Sequence, residues 1–157
     1  MKTNKILSSS HLASRLAKAK RAGKKVVFTN GVYDLIHAGH VTLLEKAKRL
    51  GDVLVVGINT DASVKRFKGP KRPIASEKDR AKVLAALCAV DYVTFFAEDT
   101  PYELIQKLKP DVLVKGGDYA HDQIVGRDLV KKVITIPLVP GRSTSAMIRK
   151  ILNAYGR

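Results

Sequence analysis

Tryptophan is absent, and five tyrosines and four phenylalanines are the whole aromatic supply of a 157-residue chain. That is too thin for a platform on which successive nucleobases stack, which disfavours single-strand nucleic-acid binding of that kind. One cysteine, Cys88, excludes an internal disulfide. It stands in an Ala/Leu-rich segment, so it is expected to be a buried small hydrophobe, with a reducing cytoplasm as the default compartment. No apolar run approaches the length of a membrane span, and Met1 to Lys5 lead into no signal-peptide core. Acidic residues are scarce as well: 14 Asp and Glu stand against 29 Lys and Arg, a formal charge of +15. Such an excess favours phosphate-bearing partners, whether nucleic acid or a small ligand. Lys18, Lys20, Lys46, Lys48, Lys107 and Lys131 are spread over several expected helices, however, which reads as a solvated surface rather than a nucleic-acid stripe.

What is present is one domain's worth of alternating elements. With 45% hydrophobic residues the chain can close a single core over residues 1–157. A first helix is expected at about 10–22, capped by Ser10, and the core at about 25–152. Apolar strands are expected at Lys25 to Thr29, Val53 to Ile58, Tyr92 to Phe96, Val112 to Lys115 and Val133 to Val139. Helices are expected at His40 to Leu50, from an Asp61 cap through Phe67, at Glu77 to Leu87, after a Thr100 cap with Pro101 and Glu103, and from about Ser145. Strands alternating with helices of this length imply an α/β fold, a mostly parallel five-stranded sheet with helices on both faces. The distinctive polar clusters, Asn30 to His40, Asn59 to Lys65, Lys115 to Tyr119 and Gly141 to Ser145, each follow a strand, so they point to one cleft at the strand ends.

His37-Ala38-Gly39-His40 is the most specific of these clusters. Two imidazoles three residues apart at the start of a helix share one side of its first turn, beside unpaired amides and the positive end of the helix dipole. Gly31 and Gly39 let backbone come close to a ligand, with room for a phosphate at Gly39. A zinc site is disfavoured, because Asp34 is the only nearby third ligand and no fourth exists. Two hydrogen-bond donors to a phosphate under attack demand less and fit better. His11 and His121 read as ordinary histidines, and Asp34 as a residue that orients the loop.

From Phe28 to His40 the chain resembles the H-x-G-H signature of the nucleotidyltransferase superfamily that includes the cytidylyltransferases. Asn59 to Lys65, Arg72-Pro73, Asp79-Arg80-Ala81, Val114 to Tyr119 and Ser143-Thr144-Ser145 follow in order. That set is similar to the adenylyltransferase domain of the enzymes that make ADP-heptose for bacterial lipopolysaccharide. The resemblance covers about Leu12 to Leu152 and implies a Rossmann-like domain. It further implies transfer of AMP from ATP to D-glycero-β-D-manno-heptose 1-phosphate, with Mg2+ carried by the phosphates. The sugar-kinase domain of many relatives is absent from this sequence, so a separate polypeptide is expected to supply the sugar phosphate.

By the same resemblance, His37, His40 and Lys65 are the expected catalytic residues. Asn30, Gly31, Val32, Tyr33, Gly39, Lys115, Gly117, Asp118, Ser143, Thr144 and Ser145 are expected around the nucleotide, the last three at its β- and γ-phosphates. Arg72 and Arg80 are expected on the acceptor phosphate, though Arg80 has the alternative of bracing a loop through a carboxylate. Val32 and Tyr33 stand where the family often has Cys and Phe, and Arg142 stands where the heptose branch usually has an uncharged residue. Related chemistry on glycerol 3-phosphate or FMN is the alternative within the superfamily, and an inactive basic nucleic-acid-binding module the alternative outside it. No membrane partner is expected, nucleic acid is disfavoured, and a homodimer through the first helix is possible on this reading.

Overall fold

The computed structural model describes residues 4–117 and 120–156. Five strands, β1 (Val26–Gly31), β2 (Val53–Asn59), β3 (Tyr92–Phe96), β4 (Val112–Gly116) and β5 (Lys132–Ile136), form one sheet in the order β3-β2-β1-β4-β5. Every neighbouring pair is parallel. Six helices accompany them: α1 (Ser9–Arg21), α2 (Ala38–Lys48), α3 (Asp61–Lys68), α4 (Glu77–Ala86), α5 (Tyr102–Leu108) and α6 (Thr144–Tyr155). No helix among the described residues is long and apolar enough to cross a membrane.

The strands are apolar throughout because both faces are covered. Alternate residues serve opposite cores. Val27, Leu54, Val56, Ile58, Val112 and Val114 meet Leu43, Leu44 and Ala47 of α2 and Ala81 and Leu84 of α4. Val26, Phe28, Val53, Val55 and Leu113 meet Leu12 and Leu16 of α1 and Leu104, Ile105 and Leu108 of α5. The connections run from β1 outward through β2 to β3, then cross to β4 on the other side of β1. Strand order therefore reverses between β1 and β4, which opens a crevice at their carboxyl ends.

Several boundaries differ from the sequence expectation for identifiable reasons. α1 is capped by Ser8, whose side chain accepts from the His11 amide, rather than by Ser10. α2 begins at Ala38, with His37 as its cap. Thr60, not Asp61, caps α3. β5 ends at Ile136 because Pro137 has no N–H to continue the ladder. The expected Thr100 cap does not form: α5 starts at Tyr102 with Pro101 before it and no side-chain cap. Asp99 is instead drawn to Arg66 of α3, whose Nε and Nη2 both reach its Oδ1 at 2.9 Å. Cys88 is exposed, not buried, since α4 ends at Ala86 and its inward residues are Arg80, Ala81 and Leu84.

Arg80 is the largest fully buried side chain. Its Nη1 donates to Val32 O (2.5 Å), its Nη2 to Asn59 O (2.8 Å) and the Asp61 carboxylate (2.7 Å), and its Nε to Ala75 O (3.2 Å). Of the two roles open to it, the structure gives Arg80 the brace: its nitrogens are spent on protein acceptors, which leaves none for an acceptor phosphate. Arg80→Met is expected to destabilise the fold by about 3 kcal/mol, because it strands these acceptors without a donor. A urea midpoint matching that of the parent chain would contradict the brace.

Candidate active site

A cleft of about 490 Å³ opens at the carboxyl ends of the strands. Asn30 and Gly31 of β1, Asn59 of β2 and Lys115 and Gly116 of β4 line it from the sheet, with Val32, Tyr33 and His40 beside them. The Lys115 ammonium donates to Asn30 Oδ1 at 3.2 Å, across the point where strand order reverses. Burial pushes the Lys115 pKa down.

The two histidines are stacked, ring centroids 3.8 Å apart and planes 24° from parallel. His37 has extended backbone (φ −141°), and its carbonyl accepts from the amides of His40 and Val41, so the chain enters α2 directly beneath its ring. The His37 amide donates to His40 Nδ1 at 3.4 Å. That bond places the proton of a neutral His40 on Nε2, where it can be donated to a ligand. Burial, aided by the neighbouring His37, holds the His40 pKa down at about 4. The His37 pKa is lowered by burial and by the Arg142 guanidinium. Both rings are therefore neutral hydrogen-bond donors at pH 7 until an anion arrives.

Glycine at position 39 is required by close approach. A Cβ there would lie 3.0 Å from the His37 ring and 3.1 Å from Arg142 Cβ. The room expected for a phosphate is taken by His37 and Arg142. Tyr33 has left-handed backbone (φ 51°), and its ring stands 5.1 Å from that of His40. Its hydroxyl faces Thr29 Oγ1 without completing a hydrogen bond, and burial pushes its pKa up to about 12.

Asp34 fixes the loop in front of the histidines. Burial alone would raise its pKa. The amides of Ala75 (2.9 Å) and Ile74 (2.8 Å) and the Arg72 Nε (2.6 Å) outweigh that and hold it below the usual carboxylate value. Arg72 is thus tethered through Nε with its side chain 18% exposed. Ser143 caps α6, its Oγ accepting from the Ala146 amide, and Thr144 Oγ1 donates to Leu35 O at 3.3 Å, while Ser145 is exposed. Gly117 needs its positive φ of 113° to turn its amide onto Ile136 O. Asp118 and Tyr119 lie outside the described residues.

Asn30, Gly31, Val32, Tyr33, His40 and Lys115 therefore meet on one cleft. Lys65 does not join them: it is exposed on α3, and Lys68, at the end of that helix, lines the cleft instead. The sequence reading also passed over Phe67, Asp99, Thr100, Gln123 and Val125, all on the cleft wall. An aromatic such as Phe67 left 50% exposed is visible only in the fold.

A model of the cytidylyltransferase-like family matches residues 28–151. The chain belongs to that family. The bifunctional protein HldE of Magnetococcus marinus is 55% identical over 153 residues, covering 95% of this chain and 31% of that protein. HldE of Wolinella succinogenes is 56% identical over 147 residues, covering 94% and 31%. The chain thus spans about a third of the length of the curated relatives it matches. Among solved structures, the lipopolysaccharide core biosynthesis protein of Thermoplasma volcanium GSS1 has a similar fold, with TM-score 0.62 and 28% identity over 74% of this chain and 98% of that one.

In this cytidylyltransferase-like domain, His40 titrates near pH 4 when folded and near 6.5 when unfolded. Between those values the unfolded chain binds a proton that the folded one does not. Stability present above pH 6.5 is therefore lost as pH falls towards 4. His40→Gln removes that component, so its urea midpoint is expected to fall less than the parent's between pH 7 and pH 4.5. Equal losses in the two proteins would count against a buried neutral His40.

Proposed function

We propose that this chain transfers AMP from ATP to D-glycero-β-D-manno-heptose 1-phosphate, releasing pyrophosphate. The observation that carries nucleotidyl transfer is the stacked His37–His40 pair at the start of α2, with His40 on the strand-end cleft. The choice of sugar is supported by the ordered motifs that resemble the ADP-heptose branch. Identity of 55–56% to HldE proteins over nearly the whole chain supports it too.

On this reading an oxygen of the sugar phosphate attacks the α-phosphorus in line. One P–O bond forms as the bridge between the α- and β-phosphates breaks, and its electron pair leaves on pyrophosphate. No base is needed, because a sugar phosphate is already ionised at neutral pH. His37 and His40 donate to the α-phosphate, and the arriving negative charge favours their protonated forms, which strengthens the same bonds. Lys68 on the cleft wall takes over the phosphate role first expected of Lys65, and Arg72, held by Asp34, is a second candidate. Gly31, Val32, Tyr33, Lys115 and Gly117 surround the nucleotide, and the first turn of α6 at Ser143, Thr144 and Ser145 offers amides to its outer phosphates. Magnesium would enter on the triphosphate and spread its charge. As is usual for that ion, it would be held largely by substrate oxygens and water. These substrates belong to the cytoplasm, and an exposed lone thiol at Cys88 agrees with a reducing compartment.

His37→Ala and His40→Ala are each expected to lower kcat by about a hundredfold or more with unchanged circular dichroism. Lys68→Ala is expected to raise KM for the sugar phosphate roughly tenfold, and Lys65→Ala to leave it within about twofold. Pyrophosphate release followed with ATP and with CTP is the deciding assay. Turnover with CTP alone would overturn the adenylyl reading.

A further inference from the structure

Lys20 and Lys131 are far apart in the sequence, where they read as part of a dispersed, solvated surface. The fold brings them to one hollow. A cavity of about 560 Å³ lies at the amino ends of β1, β4 and β5, the end of the sheet opposite the histidines, and Lys20, Lys24, Lys25, Lys131 and Lys132 line it with Asp111. Three segments supply these lysines: the last turn of α1, the turn that leads into β1, and the entry to β5. Strand register explains the meeting. Val27 of β1 and Lys132 of β5 both pair with Val112 of β4, so the two strands are two spacings apart, about 10 Å.

The charges are nearly unanswered. Asp111 is already engaged: its Oδ2 accepts from the Val26 amide (2.9 Å), and its Oδ1 lies 3.7 Å from the Lys20 ammonium, which also donates to Lys109 O. Asp52, another carboxylate at this end of the sheet, accepts from the Lys25 amide at 2.7 Å. The ammonium groups of Lys24, Lys25, Lys131 and Lys132 make no hydrogen bond or ion pair among the described residues. Lysine on an edge strand guards against stray pairing, which accounts for Lys132 alone. Gathering the others beside it brings a repulsion that a dispersed arrangement avoids. We propose that this hollow is a binding site for free oligophosphate, a compact anion with several charges on linked phosphate groups. Ammonium groups are point charges with three rotatable donors, which suits phosphate oxygens in no fixed orientation. No aromatic ring and no exposed apolar side chain lines the hollow, so nothing there receives a nucleobase or anchors in a lipid layer. The lysines close on a hollow instead of running in a row, which fits a short anion and not the length of a duplex backbone.

The probe is tripolyphosphate, titrated calorimetrically into the intact chain at about 0.15 M salt. One variant carries Lys24→Gln, Lys25→Gln, Lys131→Gln and Lys132→Gln. A control carries the same loss of charge at exposed lysines elsewhere, Lys46→Gln, Lys78→Gln, Lys82→Gln and Lys150→Gln. The first set is expected to weaken binding roughly tenfold or more, and the control set by less than about twofold, because exposed charges beyond a Debye length are screened. Without ligand the first variant should melt at or above the parent's temperature, since it relieves repulsion. Its ATP turnover should stay within about twofold of the parent's, as the cleft is at the other end of the strands. Equal losses of binding in the two sets would reduce the site to diffuse charge and overturn it. A fall in ATP turnover in step with the loss of binding would put the anion in the cleft and also overturn it. A short DNA duplex that binds the parent more tightly than tripolyphosphate, and loses more to the first set, would overturn the compact ligand.

Discussion

The Arg80 guanidinium is sealed inside the domain and donates to main-chain oxygens of three separate segments, Val32 after β1, Asn59 ending β2 and Ala75 before α4, and to the Asp61 carboxylate at the head of α3. Two of those segments, at Val32 and Asn59, line the cleft. A parallel sheet ends in loops whose carbonyls have no ladder partner, and burying them without donors would be costly. One cation with a planar fork meets three such carbonyls and a carboxylate at once, which a lysine ammonium could not do in the same geometry. The loop that leads to the histidines is then fixed a second time by Asp34, which gathers the amides of Ile74 and Ala75 and the Arg72 Nε. The polar brace and the carboxylate anchor together tie the ends of β1 and β2 and the loop before α4 into one rim.

On that rim the electrostatics run against intuition. The chain carries a formal charge of +15, yet the groups nearest the expected chemistry are held neutral: burial keeps His40 near 4 and lowers His37, while it pushes Tyr33 up to about 12. Neutral donors suit a site that must admit a highly charged nucleotide and then respond to it, since the ligand itself supplies the field that favours protonation. The cost of keeping two stacked imidazoles without charge is small compared with that of two buried imidazolium ions 3.8 Å apart.

The architecture was legible in the sequence because parallel strands covered on both faces are written as unbroken apolar runs, and Val53 to Ile58 could hardly be anything else. The histidine step was legible because its chemistry is local, a cap and the first turn of one helix. What escaped depended on contacts between distant segments. Lys65 and Lys68 both follow β2, and only the folded helix shows which of them reaches the cleft. Arg80 and Arg72 have similar credentials as phosphate ligands, yet the first is spent on carbonyls and the second is tethered by Asp34. Thr100 and Pro101 spell a helix start, but Arg66 from α3 draws Asp99 away and the chain enters α5 one residue later than a Thr100 cap would start it. Asp118 and Tyr119 lie outside the described residues.

The last helix has a different kind of consequence. α6 buries none of its side chains: Met147, Ile151, Leu152 and Tyr155 are all exposed, and among the described residues its one side-chain tie to the rest of the fold is Thr144 on Leu35 O. A helix packed so lightly adds little to folding free energy, so most substitutions along its body cost little stability. Its first turn is in another situation, since Ser143 caps the helix and Thr144 docks it against the histidine loop. Over time the two ends of one helix should accept change at unequal rates, the tail drifting with whatever surface it meets and the head held by its cap and its contact with the histidine loop.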